Sequence, residues 1–313
     1  MTRRLLVISL VIACIAAPSL LVLLEAAASH AANGVTRTMV SAGMTREYIL
    51  YVPPTYDSSR PAPLVMSMHG AGNWPAFHMH ATQWNRVADE HGFLMVYPGG
   101  QGATIKTFRL QGRATPSRMP DVVFISELID HLSKSYNIDP RAIYANGLSN
   151  GGGMTFVLSC ALRHRIAAFG VVGAAVTVPT DWCPQSQPAP LIAFHGTADR
   201  QTPYDGGKVW IAPMPFPSIP QWTARWAARN RCSPVPIDAV VAADVRRRSY
   251  HGCADNAEVV FYTIEGGGHT WPGGPPFPEW LLGKTTQSID ASREMWAFFS
   301  RHRLAKLGPG PEN

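Results

Sequence analysis

The sequence predicts an α/β architecture, a doubly wound and mostly parallel sheet in a single domain, on three observations. Short apolar runs of strand length alternate with segments whose apolar positions follow helical spacing. From about Thr36 onward neither an internal repeat nor a long low-complexity linker interrupts that alternation. The composition, 46% hydrophobic and 15% charged over 313 residues, is that of a globular chain and fits neither disorder nor a multi-span membrane protein.

Taken in order, the N-terminus comes first. Arg3 and Arg4 precede an apolar stretch from Leu5 to Leu24, then the small-residue segment Glu25-Ala26-Ala27-Ala28-Ser29-His30-Ala31-Ala32, the order of a secretory signal over residues 1–31. Cleavage after Ala28 or Ala31 meets the small-residue requirement; an uncleaved anchor of that length and lipidation at Cys14 are the alternatives. A domain over 34–307 and a disordered Gly-Pro tail over 308–313 complete the layout.

Within the domain, Glu47 to Val52, Leu64 to Met68, Phe93 to Tyr97, Ile143 to Ala145, Phe169 to Gly173, Leu191 to His195 and Val259 to Ile264 read as buried strands. Helical spacing covers Trp84 to Glu90, Val122 to Tyr136, Met154 to Leu162, Gln221 to Asn230 and Ile289 to Phe299. Asp139-Pro140 is expected to stop the second helix before the next strand, and Ser288 or Asp290 to cap the last. Gln101 to Pro120 and Trp210 to Pro220 break the pattern and read as long loops, of the kind that either border a site or merely span.

The formal charge of +6 is modest, and its densest run, Arg246 to Arg248, is too short to track a phosphate backbone, so no nucleic-acid partner is expected and the run reads as a solvated strand end. With Cys14 removed, Cys160, Cys183, Cys232 and Cys253 remain, an even number in an exported chain. Of three connectivities, Cys160 with Cys183 and Cys232 with Cys253 is favoured because each closes a short loop without crossing the other. No Cys-x-x-Cys spacing is present, and His78-x-His80 lacks a third ligand at a recognisable spacing, so no metal site is expected.

Gly147-Leu148-Ser149-Asn150-Gly151 lies between a predicted strand and a helical segment, the setting of a nucleophile elbow and so of an α/β-hydrolase fold. Side chains two residues either side of the nucleophile would meet backbone, which glycine avoids at 147 and 151. A serine hydroxyl is a poor nucleophile at neutral pH and needs a base and a carboxylate to orient that base, in chain order Ser, acid, His for this fold. Asp199, just past the strand in His195-Gly196-Thr197-Ala198-Asp199, is the acid, with Asp205 and then Asp181 as fallbacks. His269, in Gly266-Gly267-Gly268-His269-Thr270-Trp271, is the base; His69, His195, His78, His80 and His91 fall too early in the chain. The oxyanion hole takes one backbone N–H from Asn150 and one from His69-Gly70-Ala71-Gly72, with Ala71 the preferred donor and His69 a structural hydrogen-bonding residue.

With these segments quoted, and with Gly92-Phe93-Leu94-Met95-Val96-Tyr97-Pro98 and the continuation Pro272-Gly273, the chain resembles the bacterial polyhydroxybutyrate depolymerase family of secreted esterases, related to feruloyl and acetylxylan esterases. The likeness spans Pro63 to Phe299. It implies Ser149, Asp199 and His269 as nucleophile, acid and base, supports the same two cysteine pairs, and implies Trp271 as an aromatic wall for substrate. The loop Gln101 to Pro120 departs from the family in lacking Trp and Cys and in carrying Arg109, Arg113 and Arg118; no C-terminal polymer-binding module is apparent.

The expected function is thus a secreted, extracellular or periplasmic, serine esterase hydrolysing polyhydroxybutyrate or short hydroxyalkanoate oligomers through an acyl-enzyme, with no cofactor. A feruloyl or acetylxylan esterase is the alternative within the chemistry, and a catalytically inactive surface-binding protein the alternative outside it. The expected partner is an ester substrate, polymeric or oligomeric, with membrane contact only through an uncleaved or lipidated N-terminus.

Overall fold

The computed structural model describes residues 34–102, 107–108, 118–174, 183, 187–209 and 215–305. The chain divides into Met1–Val35, of which only Gly34 and Val35 are described, and the compact unit Thr36–Asn313. The signal expected over 1–31, the tail over 308–313, and Arg109 and Arg113 lie outside the described residues. Among those described, no helix is long and apolar enough to cross a membrane.

Ten strands form one sheet: β1 (Val35–Ser41), β2 (Met44–Tyr51), β3 (Ala62–Met68), β4 (Leu94–Pro98), β5 (Ile138–Leu148), β6 (Ala168–Val172), β7 (Leu191–Gly196), β8 (Ile237–Ala242), β9 (Val245–Tyr250) and β10 (Val259–Ile264). Their spatial order is β1-β2-β4-β3-β5-β6-β7-β10-β9-β8. The middle six, from β4 to β10, are parallel, while β2 and β9 join them antiparallel. This is the α/β-hydrolase fold, a mostly parallel sheet, as the alternation predicts.

Helices cover both faces. Those on one side are α3 (Pro120–Ser133), α4 (Asn150–Ala161) and α5 (Ile219–Arg229), which bury Phe124, Leu128, Val157, Leu158, Trp222 and Trp226 against Leu64, Met66 and Met68. On the other, α1 (Pro75–Thr82), α2 (Trp84–His91) and α7 (Ala291–Phe299) bury Met79, Trp84, Val87, Met295 and Phe299 against Val65, Met95 and Tyr97. Alternate residues of β3 thus serve opposite cores, the two-residue period of a strand buried on both faces. A short helix, α6 (Glu279–Leu282), lies between β10 and α7.

The seven predicted strands and five predicted helices are present, with differences that have physical causes. Asp139-Pro140 does not separate a helix from a strand: α3 already ends at Ser133, and the dipeptide lies inside β5. Proline cannot donate to a ladder, and the β3–β5 register shifts there, between the Ala62–Ile138 and Leu64–Ile143 pairs. Helix α4 begins at Asn150 rather than Met154, because Gly151 to Gly153 carry no helical signal but lie in its first turn. Asp290 caps α7, its Oδ1 accepting from the N–H groups of Ser292 and Arg293. Arg246 to Arg248 fall within β9, where Arg246 and Arg248 pair with Glu265 and Asp238. Disulfides join Cys160 to Cys183 and Cys232 to Cys253, as expected.

Candidate active site

Because the central strands are parallel, their C-terminal ends share one sheet edge, and the loops after β3, β5, β7 and β10 carry the residues singled out above. Ser149 follows β5 and precedes α4 with φ 55° and ψ −120°, a conformation that L residues other than glycine rarely hold. Its N–H donates to Val172 O at 2.9 Å, which ties the turn to the end of β6. The turn leaves no room at its flanks: a Cβ on Gly151 would fall 2.1 Å from Met68 O, and one on Gly147 would fall 2.4 Å from the Gly151 carbonyl carbon. The turn sets Ser149 at the N-terminal end of α4, where backbone N–H groups favour negative charge.

Asp199 and His269 meet in the loops after β7 and β10, the second and third strands across from β5. Nδ1 of His269 lies 2.7 Å from Asp199 Oδ2, and both side chains are buried. The other carboxylate oxygen, Oδ1, accepts from the N–H groups of Gln201 and Thr202, at 2.8 Å each. Burial alone would raise the Asp199 pKa, but the His269 hydrogen bond and charge, with His195 and the Thr202 N–H, hold it below the ordinary carboxylate value. The acid is therefore ionised at neutral pH and, since a carboxylate only accepts, Nδ1 of His269 donates to it.

Gly173, at φ +55°, links this pair to the serine turn. A Cβ there would lie 3.3 Å from His269 Nδ1 and 3.5 Å from Asp199 Oδ2, and the preceding Val172 carbonyl is the one that accepts from Ser149. Asp205 is exposed, while Asp181 lies outside the described residues.

The expected oxyanion elements also converge. A Cβ on Gly70 would stand 3.4 Å from the Cβ of Ser149, so the turn carrying Ala71 abuts the serine turn that carries Asn150. His69 is buried with Nδ1 2.7 Å from Gly70 O and Nε2 accepting from Gly100 N–H at 2.9 Å, a structural pairing that fixes its neutral Nδ1–H tautomer. The Asn150 side chain, which sequence reasoning did not consider, clasps Phe108: Oδ1 accepts from Phe108 N at 2.7 Å and Nδ2 donates to Phe108 O at 3.0 Å. That pins the loop after β4 beside the serine turn, and no periodic signal in a loop could have shown it.

Trp271 corrects an expectation. Its side chain is only 2 % exposed, donates from Nε1 to Ser292 Oγ at 3.1 Å and meets His78 edge to face, so it packs the core instead of walling a substrate site. Among the described residues, the exposed tryptophans are Trp74, at 51 %, and Trp280, at 79 %. Trp74 leads a row of rings, 5.6 Å to Phe77 and from there 5.3 Å to Phe277, that starts four residues beyond Gly70.

His78 and His80 point apart: His80 is exposed, while His78 is buried against Ser67 Oγ at 2.8 Å, which in turn donates to Asn146 Oδ1 at 2.6 Å on the serine-bearing strand. Burial, with the neighbouring His69, pushes the His78 pKa down to about 3. An unfolded chain takes up this proton near pH 6.5, so between those values the unfolded state binds more protons and stability falls as pH falls. Buried His195 and His302, also shifted down, act in the same direction. Denaturation between pH 6.5 and 5 should therefore show a loss to which His78 contributes about 2 kcal/mol. The slope should flatten in His78→Gln; an unchanged slope would mean that His78 is charged in the folded state.

The fold is that of the α/β hydrolases. In comparison with known proteins, residues 46–180 match the family model described as esterase PHB depolymerase, which bears out the resemblance over that stretch. The chain is 32% identical over 163 residues to the bifunctional acetylxylan esterase/xylanase XynS20E of Neocallimastix patriciarum, covering 50% of this chain and 22% of that protein. It is 27% identical over 235 residues to feruloyl esterase B of Piromyces equi, covering 72% of this chain and 42% of that protein. It thus spans less than half the length of either. The solved acetyl xylan esterase from Aspergillus awamori superposes with a TM-score of 0.59 at 15% identity, covering 85% of this chain and 99% of that one, a likeness of fold.

Proposed function

We propose that the chain is an exported serine esterase in which Ser149 is the nucleophile, His269 the general base and Asp199 the orienting acid, acting on esters of short hydroxyalkanoates. One observation carries the catalytic part: a serine held at φ 55° at the start of α4, next to the Val172-Gly173 segment against which a buried, hydrogen-bonded Asp199–His269 pair packs. Ser149 Oγ attacks the ester carbonyl as its proton passes to His269 Nε2; the alcohol leaves with that proton, and water, deprotonated by the same nitrogen, releases the acid. Backbone N–H groups of Ala71 and Asn150 hold the oxyanion; loss of one such donor typically raises the barrier by about 3 kcal/mol. Two disulfides accord with an oxidising compartment reached by export.

The match to the polyhydroxybutyrate depolymerase family model favours a hydroxybutyrate acyl group, and the row of Trp74, Phe77 and Phe277 supplies an apolar face on which such a chain can lie. A second reading, an acetyl or feruloyl ester of plant polysaccharide, is favoured by what the two relatives above are named for. Hydrolysis of hydroxybutyrate oligomers, methyl ferulate, acetylated xylan and short p-nitrophenyl esters by the purified protein separates them. The expected result is highest kcat/KM on the oligomers, with Trp74→Ala lowering oligomer hydrolysis about tenfold while sparing p-nitrophenyl acetate. A preference for ferulate or xylan that survives in Trp74→Ala would transfer the protein to the polysaccharide esterases.

A further inference from the structure

Asp199 faces a second histidine. His195, the last residue but one of β7, lies almost wholly buried with Nε2 2.7 Å from Thr202 O and 3.4 Å from Asp199 Oδ2, the same oxygen that meets His269 Nδ1. A carbonyl oxygen can only accept, so Nε2 of His195 carries the proton and Nδ1 does not. Burial, partly offset by Asp199, lowers its pKa and keeps the ring neutral. The titratable groups facing this ring are Asp199, His269 and Tyr204, whose ring meets His195 edge to face at 6.2 Å and whose hydroxyl pairs with Thr263 Oγ1.

We propose that His195 is a positioning residue for the acid–base pair: its Nε2–H closes the loop from Gly196 to Thr202 onto the Thr202 carbonyl and presents a fixed dipole to the Asp199 oxygen that serves His269. The loop closure has a direct consequence. Thr202 is the residue whose N–H holds Asp199 Oδ1, so the bond from His195 to Thr202 O clamps the peptide segment that orients the carboxylate. The dipole has another. With its N–H held on Thr202 O and its nitrogen 3.4 Å from Asp199 Oδ2, the ring sets the positive end of a dipole beside that oxygen, so removing it leaves more negative charge facing the His269 ring. A neutral ring does this without adding a net charge to the buried site, where a second imidazolium would incur a large desolvation penalty.

The inference rests on His269 as the base, and its test reads His269 both through turnover and without it. The pH profile of kcat/KM and the pH titration of the downfield His269 Nδ1–H proton resonance are followed in the wild type, His195→Phe, His195→Asn and His195→Gln. Phenylalanine keeps the ring without a donor, asparagine is too short to reach Thr202 O, and glutamine returns an N–H near the position of Nε2. The acid limb and the resonance titration should both move up by about half a pH unit or more in the Phe and Asn variants and return to wild-type values in Gln. Asparagine keeps the test open if the phenylalanine variant does not fold. A titration that stays in place in the folded Phe or Asn variant, whatever happens to kcat, would overturn the proposal and leave His195 a packing residue. Should Ser149→Ala retain activity, the serine mechanism fails while the resonance still reports whether His195 acts on the Asp199–His269 pair.

Discussion

Ser149→Ala is expected to lower kcat/KM by about 10⁴- to 10⁶-fold on every ester the wild type hydrolyses, since nucleophile and base act as one unit and the remaining oxyanion donors sustain little turnover alone. The fold should be untouched. Removing the hydroxyl leaves in place the contact that fixes the turn, the backbone N–H of Ser149 to Val172 O. The melting temperature should stay within about 2 °C of the wild type. If anything it should rise, because alanine relieves a polar side chain held at the N-terminus of α4 in a geometry shaped for reaction rather than stability. Activity and thermal unfolding on the same preparations check both halves. Turnover within about tenfold of the wild type would remove Ser149 from the mechanism.

Gly151→Ala should have the opposite signature, losing stability and activity together. The added methyl would lie 2.1 Å from Met68 O, 2.5 Å from the carbonyl carbon beneath it and 2.7 Å from His69 O, all backbone atoms that cannot turn aside. Relief requires α4 to move away from the end of β3, and that displaces both the serine turn and the turn bearing Ala71. We expect destabilisation of about 4 kcal/mol or more, in the range reserved for severe overpacking or strain. At Gly266 the φ of +67° is strained for alanine but a Cβ meets nothing within 4 Å. Gly266→Ala should therefore cost only about 1 kcal/mol, a control for the conformational component alone. Chemical denaturation of the two variants measures the difference; similar losses would mean that the close approach to Met68 is not what requires glycine at 151.

The parts legible in the sequence are those with local signatures. Continuous apolar runs mark β3, β4, β7 and β10 because these strands are buried on both faces, and the elbow glycines announce a turn whose crowding the structure measures in ångströms. Chain order and strand-end position suffice to pick Asp199 and His269, since parallel strands deliver their C-terminal loops to one edge.

What escaped depends on contacts between distant segments. Strands β8 and β9 have no buried alternation to read: β8 is largely exposed and β9 carries three arginines, so pairing, of β9 with β10 and of β8 with β9, rather than burial defines them. Helix α1, with two His and one Phe in eight residues, is too short and too evenly apolar to show a face. The resemblance implies Trp271 as a substrate wall beside His269, but residues close in sequence point in different directions, and its indole turns inward to Ser292. His195 comes too early in the chain to be the base, a criterion that excludes it from that role and says nothing about its service to Asp199.

The central claim, that Ser149 is activated by the Asp199–His269 pair, is tested most directly by treating the purified protein with a serine-directed phosphonate and mapping the adduct by peptide mass spectrometry. The account predicts one adduct per chain, on Ser149, that is absent in Ser149→Ala and forms at least about 100-fold more slowly in His269→Ala. An unlabelled wild-type protein, or labelling of Ser149 at the same rate without His269, would contradict it.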